Sequence, residues 1–545
     1  MLSFALALMP LLIILAGIAF FNQSGLRMAF VGWLATVILA VTYFRTPLDV
    51  ALVGSLIGFL KSFPISVAVV FTMLMIFLMN AVGALTVISN TIKGAVRGAE
   101  NQALYIGIGF GSFLTSLGVV TPALFPPLLV VMGFSPFAAV AIAVLGYNAT
   151  TSFALLSIPI TLPAEVFAFD PIEFAYKISL FLPLVSVGLA FGVLWMVGGR
   201  AAMRRGAGAA IVIGLAVALA CLALIGLDYH TGTEYVPLRI VGPIAGLLAM
   251  AALQVYQRLR PPSSDEAPPT QQAAGVPDPA AGPGGTVAAR PPMSLKRAAS
   301  PWIITTLLAA VTSVPSIKTG LQGLLGDWEV LTFYSNQAVD FDLPIQIYSL
   351  ILIAVLLSLV TLRPTRAQVS STTRLWLRRA WGPFLAYSIY FSIAYVMLFS
   401  AQHVVDGALT PTDLYRDHNM NVIVGSTLAR LFGAGYIFVA AALGLFGAVV
   451  GGSETSSNVM FYQIQKEASA GIGLGDAEFM TVFGSHAVAG GVASAITPAK
   501  VNNAVATIDA GVAVEAQVMR KHLMIAILLT ILTGVLCALF VSIGL

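Results

Sequence analysis

The chain has 545 residues, of which 58% are hydrophobic and only 9% charged, with a mean hydropathy of +0.94. A soluble domain of that length carries far more charge, so the composition excludes a water-soluble globular protein. A net charge of +4 divided among many short loops reports orientation in a bilayer and gives no reason to expect nucleic acid as a partner.

Apolar runs near or above the roughly 18 to 20 residues that a bilayer-crossing helix needs lie at 2–20, 26–44, 64–87, 173–197, 207–226, 236–254, 299–316, 343–361, 381–400 and 523–544. Together with broken segments between them they predict an all-α polytopic membrane protein of about 12 to 14 membrane segments. The first run follows no basic stretch and precedes no clear small-residue cleavage site, so it reads as a retained span. Cys221 and Cys537 each sit inside an apolar span, the setting of a small buried hydrophobe; no disulfide framework, metal centre or cofactor is expected.

One stretch departs from this composition. Arg260 to Arg297, "RPPSSDEAPPTQQAAGVPDPAAGPGGTVAARPPMSLKR", is rich in Pro, Ala and Gly without periodicity, which predicts a disordered linker over 257–298. Basic residues at its ends place it in the cytoplasm, as Arg200, Arg204 and Arg205 place the loop two spans earlier.

The halves on either side of the linker resemble each other in pattern. "GVVTPALFPPLLVVMGFSPFAAVAIAVLGYNATTSFALLSIPITLPAE" parallels "GGSETSSNVMFYQIQKEASAGIGLGDAEFMTVFGSHAVAGGVASAITPAKV", both ending in Ile-Thr followed by Pro-Ala. Charge gives corresponding loops opposite sides: Lys93 and Arg97 match Asp406, Asp413 and Asp417, while "PAEVFAFDPIEF" matches a stretch ending in Arg520, Lys521 and His522. The expected organisation is an extra N-terminal span (1–25), a first inverted repeat (26–200), connecting spans (201–256), the linker, a connecting span with an external loop (299–342), and a second inverted repeat (343–545). Inverted repeats are a signature of secondary transporters.

Each half also contains polar, Gly- and Pro-interrupted sequence where a simple span would be apolar. Thr121-Pro122, Ser135-Pro136 and Thr497-Pro498 read as caps followed by proline at the first helical position, that is, as helices that start in mid-membrane. Irregular backbone at that depth is tolerated only around a protein-lined or water-lined site, and helix N-termini there favour an anion such as a carboxylate. Ser453, Thr455, Ser456, Ser457 and Asn458 at one break, with Asn148, Thr150, Thr151 and Ser152 from the other half, are expected to surround a small polar solute, with Thr121 and Thr497 at the remaining breaks. Glu454 is the sharpest feature, because an ionised carboxylate in mid-bilayer costs about 2.5 to 3.5 kcal/mol even on the lenient insertion scale. A proton-exchanging role is therefore expected for Glu454, with His486 and Lys500 as further candidates for coupling or charge pairing. Arg430 reads as an interfacial residue with a structural role.

At these residues the chain resembles the L-lactate permeases. "GAVVGGSETSSNVMFYQIQ" is similar to that family's Gly-Ser-Asp-Thr-Ser-Ser-Asn motif, followed by "GGVASAITPAKVNNAVATIDAGV" and "RKHL", and the first-half segment from Thr121-Pro122 to Ile158-Pro159 is similar as well. The resemblance implies proton-coupled uptake of short 2-hydroxymonocarboxylates such as lactate or glycolate on an inverted-repeat helical fold, with Ser453 to Asn458 and Thr121 in the site. The chain departs from the family pattern at Glu454 for Asp, at "TSLGVVTP", at "SHAVAGG" and at Thr497-Pro498-Ala499, which implies altered specificity. Sodium as the coupling ion and a homodimer are compatible with the same reading. A channel is the weaker reading, and a membrane enzyme weaker still, since neither a nucleophile elbow nor a His-Glu-x-x-His occurs; the sequence has no P-loop for ATP-driven transport.

Overall fold

A computed structural model describes residues 1–19, 21, 23–118, 121–260, 293–322, 324–508 and 510–545. Most of the expected linker, 261–292, and the side chain of Lys93 lie outside the described residues. In the first half, α1 (Leu2–Ala19), α2 (Gly25–Thr42), α3 (Leu48–Lys61), α4 (Phe63–Ala81) and α5 (Ala84–Ala95) lead into a continuous rod of α6 (Ala99–Leu104), a π-helical turn (Tyr105–Phe110) and α7 (Gly111–Ser116). The rod is followed by α8 (Thr121–Val131), α9 (Pro136–Leu145), tight 3-10 turns over 146–157, α10 (Ile158–Phe167), α11 (Pro171–Thr231) and α12 (Leu238–Leu259).

The second half contains α13 (Leu295–Ala298), α14 (Ser300–Thr312) and α15 (Pro315–Gln322), then the hairpin β1 (Val330–Tyr334) and β2 (Gln337–Asp340). Next come α16 (Ile347–Leu362), α17 (Arg366–Arg379), α18 (Trp381–Phe399), a second hairpin β3 (Gln402–Val405) and β4 (Ala408–Pro411), and α19 (Tyr415–His418). The chain ends with α20 (Met420–Phe432), α21 (Tyr436–Gly451), α22 (Glu454–Gly471), α23 (Asp476–Ala493), α24 (Pro498–Thr507) and α25 (Gly511–Ser542).

Among the described residues nine helices are long and apolar enough to cross a membrane, ten if the 90° bend between α14 and α15 is counted as one broken span. One of them, α11, makes two passes, because Gly198 and Gly199 leave helical geometry and Gly199 takes φ +60°, a conformation that costs glycine little. Its arms run side by side, with Tyr176 stacked on Tyr229 at 4.3 Å and a Cβ at Gly214 set to fall 2.7 Å from the Val187 backbone. Adding the shorter apolar helices Leu2–Gly17 and Ile347–Leu362 brings the number within the expected range.

The packing has reciprocal pairs. Helix α8 lies against α9 and α24, and its sequence counterpart α22 lies against α23 and α10; likewise α3 packs on α18 and α4 on α17. Two β-hairpins were not expected from the sequence. They dock on each other through Ser335 N–H to Gly407 O (2.8 Å) and through Asn336, which both donates to and accepts from the Leu409 backbone (2.8 and 3.0 Å). Cys221 and Cys537 are free and buried, as their apolar flanks dictate.

Candidate functional site

The turn between α21 and α22 is built by Gly452 at φ +73° and by Ser453 in extended conformation. Ser453 Oγ accepts the Ser456 N–H at 3.1 Å and pairs with Ser456 Oγ at 2.8 Å, so both hydroxyls close the cap. Glu454 follows as the first helical residue, and every residue from Glu454 to Tyr462 is buried. The unpaired N–H groups of a helix's first turn favour a carboxylate there.

What meets Glu454 comes from the other half. Ser152 Oγ donates a hydrogen bond to Glu454 Oε1. The other carboxylate oxygen rests on bare backbone of α23: a Cβ at Gly491 would lie 2.8 Å from Glu454 Oε2 and 2.7 Å from Thr151 Cβ. Thr151 has φ 40° and ψ −115°, an unfavourable geometry for a β-branched residue, and Leu155, Leu156 and Ser157 follow with φ of 51°, 52° and 64°. Asn458, one helical turn beyond Glu454, donates from Nδ2 to Pro159 O at 2.9 Å and so ties α22 to the start of α10. The Asn458 Oδ1, Thr150 Oγ1 and Thr151 Oγ1 atoms are buried and have no hydrogen-bond partner in the protein. Lys500 reaches the same region from α24, within electrostatic range of Glu454; its Nζ donates to Ser494 Oγ at 2.9 Å and lies 5.9 Å from the Tyr147 ring centroid.

A second polar chain runs behind this group. Tyr436 OH donates to Gln465 Oε1 (2.6 Å), and Gln465 Nε2 donates to Ala440 O (3.1 Å) and to His486 Nδ1 (2.8 Å). A carbonyl can only accept, so Ala440 O fixes the orientation of the Gln465 amide, and an amide nitrogen can only donate, so His486 Nδ1 is the accepting nitrogen. The ring proton is therefore on Nε2, which donates to Ser457 Oγ at 3.0 Å, leaving the serine to donate to Gly444 O at 3.2 Å. Every donor in the chain has an acceptor.

Some expected site residues turn elsewhere. His486 lies in the middle of α23 and not at its break, and both its nitrogens are occupied by Ser457 and Gln465. Asn148 donates to Val144 O and Leu145 O at 2.9 and 3.0 Å, closing the end of its own helix. Thr497 stands at the N-cap position of α24 with proline following, as expected, but its side chain makes no capping bond; the hydroxyl donates backward to Ala493 O at 3.2 Å. Thr121 is itself the first residue of α8, buried, with its hydroxyl 3.3 Å from Thr115 Oγ1, and Thr455 is buried within the first turn of α22. Arg430 is exposed. Lys500 points inward to Ser494 and not outward to an interface. Sequence reading missed Gln465, Tyr436, Ser494 and Gly491. Only Gln465 carried a signal: it lies seven residues after Asn458 and eight after Ser457, on the same buried stripe of α22.

Buried helix breaks that bring serines, threonines, a glutamate and a lysine together inside a bundle of apolar spans define an integral multi-pass membrane transporter. The sequence profile of the L-lactate permease family matches residues 3–544, and the chain belongs to that family. It is 25% identical to an L-lactate permease of Bacillus subtilis over 519 residues, 87% of this chain and 85% of the relative. It is 24% identical to an L-lactate permease of Salmonella typhimurium over 538 residues (93% and 90%). The glycolate permease GlcA of Escherichia coli is 25% identical over 330 residues (58% and 56%).

Proposed function

We propose that this chain takes up a short 2-hydroxymonocarboxylate of the lactate or glycolate type across a bacterial plasma membrane, together with a proton carried by Glu454. The observation that carries the reading is the buried Glu454 carboxyl, hydrogen-bonded across the two halves to Ser152 with Lys500 in electrostatic range. Ionising a carboxyl in that setting depends on a counter-charge or an opening to water, the property a proton carrier needs. Lys500 and the hydroxyls of Thr150 and Thr151 have the chemistry to receive the substrate's carboxylate and 2-hydroxyl, while Ser457 and His486 hold the hairpin's shape. The names of the relatives, lactate and glycolate permeases, support the substrate class.

The reciprocal packing of α8 on α24 and α22 on α10 supports the division into inverted repeats over 26–200 and 343–545. Transport then proceeds by moving the broken-helix core against the helices that flank it. The test is uptake of radiolabelled lactate and glycolate into proteoliposomes under an imposed proton gradient, and separately under a sodium gradient. Accumulation that follows the proton gradient is the expected result; accumulation only with sodium, or none of either acid, overturns it.

A further inference from the structure

Helix α17 carries Arg366, Arg374, Arg378 and Arg379, and Arg363 stands just before it; all five are exposed. Among the described residues none of these guanidinium groups has an ion pair or hydrogen bond within the protein, unlike Arg205, which pairs with Glu100, and Arg297, which is bonded to the carbonyls of Thr361 and Leu362. No acidic residue occurs between positions 343 and 405.

The helix is nevertheless fixed in place. A capping box of Thr365 and Gln368 starts it, Gln368 Nε2 donates to Ala81 O at 2.6 Å, and Trp376 donates to Val70 O at 2.8 Å while stacking on Phe71. At 100° per residue, Arg374 and Arg378 fall on the side opposite Thr372 and Trp376, which pack inward. Exposed Leu375, Leu377 and Trp381 flank the arginines. A cationic face edged by leucines and tryptophan suits the boundary between headgroups and acyl chains.

We propose that α17 is a binding surface for anionic phospholipid headgroups, which brace α4 through it. Guanidinium groups without carboxylate partners match phosphodiester oxygens in geometry as well as charge, and the expected topology sets α17 on the cytoplasmic side, where anionic lipid attracts basic segments. The test uses the full-length protein in detergent micelles doped with phosphatidylglycerol or phosphatidylcholine, with inorganic phosphate as a third arm, and reads the unfolding temperature. Phosphatidylglycerol is expected to raise it by roughly 3 °C or more over phosphatidylcholine, an advantage that shrinks in high salt, while inorganic phosphate has no effect. A triple Arg374→Gln, Arg378→Gln, Arg379→Gln variant is expected to lose the difference and the corresponding triple lysine variant to keep it. Equal shifts with both lipids, reproduction of the shift by inorganic phosphate, or its survival in the glutamine variant overturns the proposal. The arms with unaltered protein decide even if a variant does not fold.

Discussion

Ser152 and Glu454 stand 302 positions apart in the chain and share a buried hydrogen bond, the serine hydroxyl donating to the carboxyl. It joins the two halves where each has interrupted its helices, with Thr151 in strained backbone on one side and the first residue of α22 on the other. Whatever protonates or moves Glu454 is therefore felt in both halves at once.

The proton role is isolated by Glu454→Gln, which keeps size and hydrogen bonding and removes the exchangeable proton. Accumulation of lactate against its gradient in proteoliposomes is expected to fall to background, while exchange of labelled for unlabelled substrate at equal pH continues. Accumulation that still follows the proton gradient would move the coupling site elsewhere.

Replacing Ser152 by alanine removes the hydroxyl donor to Glu454 Oε1 in a buried site. The expected cost is about 1–3 kcal/mol, read as a lower unfolding temperature together with a shifted pH dependence of uptake. Unchanged pH dependence would mean that this bond does not tune Glu454.

Gly491→Ala tests the close approach, since the new methyl would sit 2.7 Å from Thr151 Cβ and 2.8 Å from Glu454 Oε2. Overpacking of this kind costs about 1–3 kcal/mol, and the expected outcome is near-complete loss of transport in protein that still reaches the membrane. Normal transport would show that the two halves separate easily there.

For His486 the expectation is a split result. His486→Ala strands Ser457 and Gln465 and is expected to cost about 2–4 kcal/mol for two buried partners at once, whereas His486→Gln retains a donor and is expected to recover part of that stability. Neither is expected to move the pH midpoint of uptake, because the ring's neutral form is already satisfied at both nitrogens. A displaced midpoint would restore His486 as a proton carrier.

Lys500→Gln removes the cation within electrostatic range of Glu454 and is expected to raise the KM for lactate roughly tenfold or more, in line with the loss of one charged hydrogen bond, with a smaller effect on maximal rate. Equal KM in the two proteins would exclude Lys500 from carboxylate binding.

The buried polar cluster of the candidate site is partly legible in the sequence. The SETSSN block, the Glu454 carboxylate and the opposing Thr150 to Ser152 cluster stand out because polar groups in apolar sequence need partners, and Ser152 does meet Glu454. The roles of individual side chains were not legible. Asn148 and Thr497 return to carbonyls of their own helices, a local option open to any buried amide or hydroxyl and invisible in composition.

Composition and run length alone determined that the protein is helical and lies in a membrane, since an apolar run of that length in a bilayer pairs its backbone groups within itself only as a helix. Helix starts at Ser135-Pro136 and Thr497-Pro498 were legible in the same way, although Pro126, Pro127 and Pro183 lie inside helices and mark no break. Tertiary structure alone decided the docking of the two hairpins, the tautomer of His486, the inward turn of Lys500 and the contact of Gly491 with Glu454. Each depends on a partner tens of residues away or on a side-chain direction chosen by packing, and neither quantity is encoded in local sequence spacing.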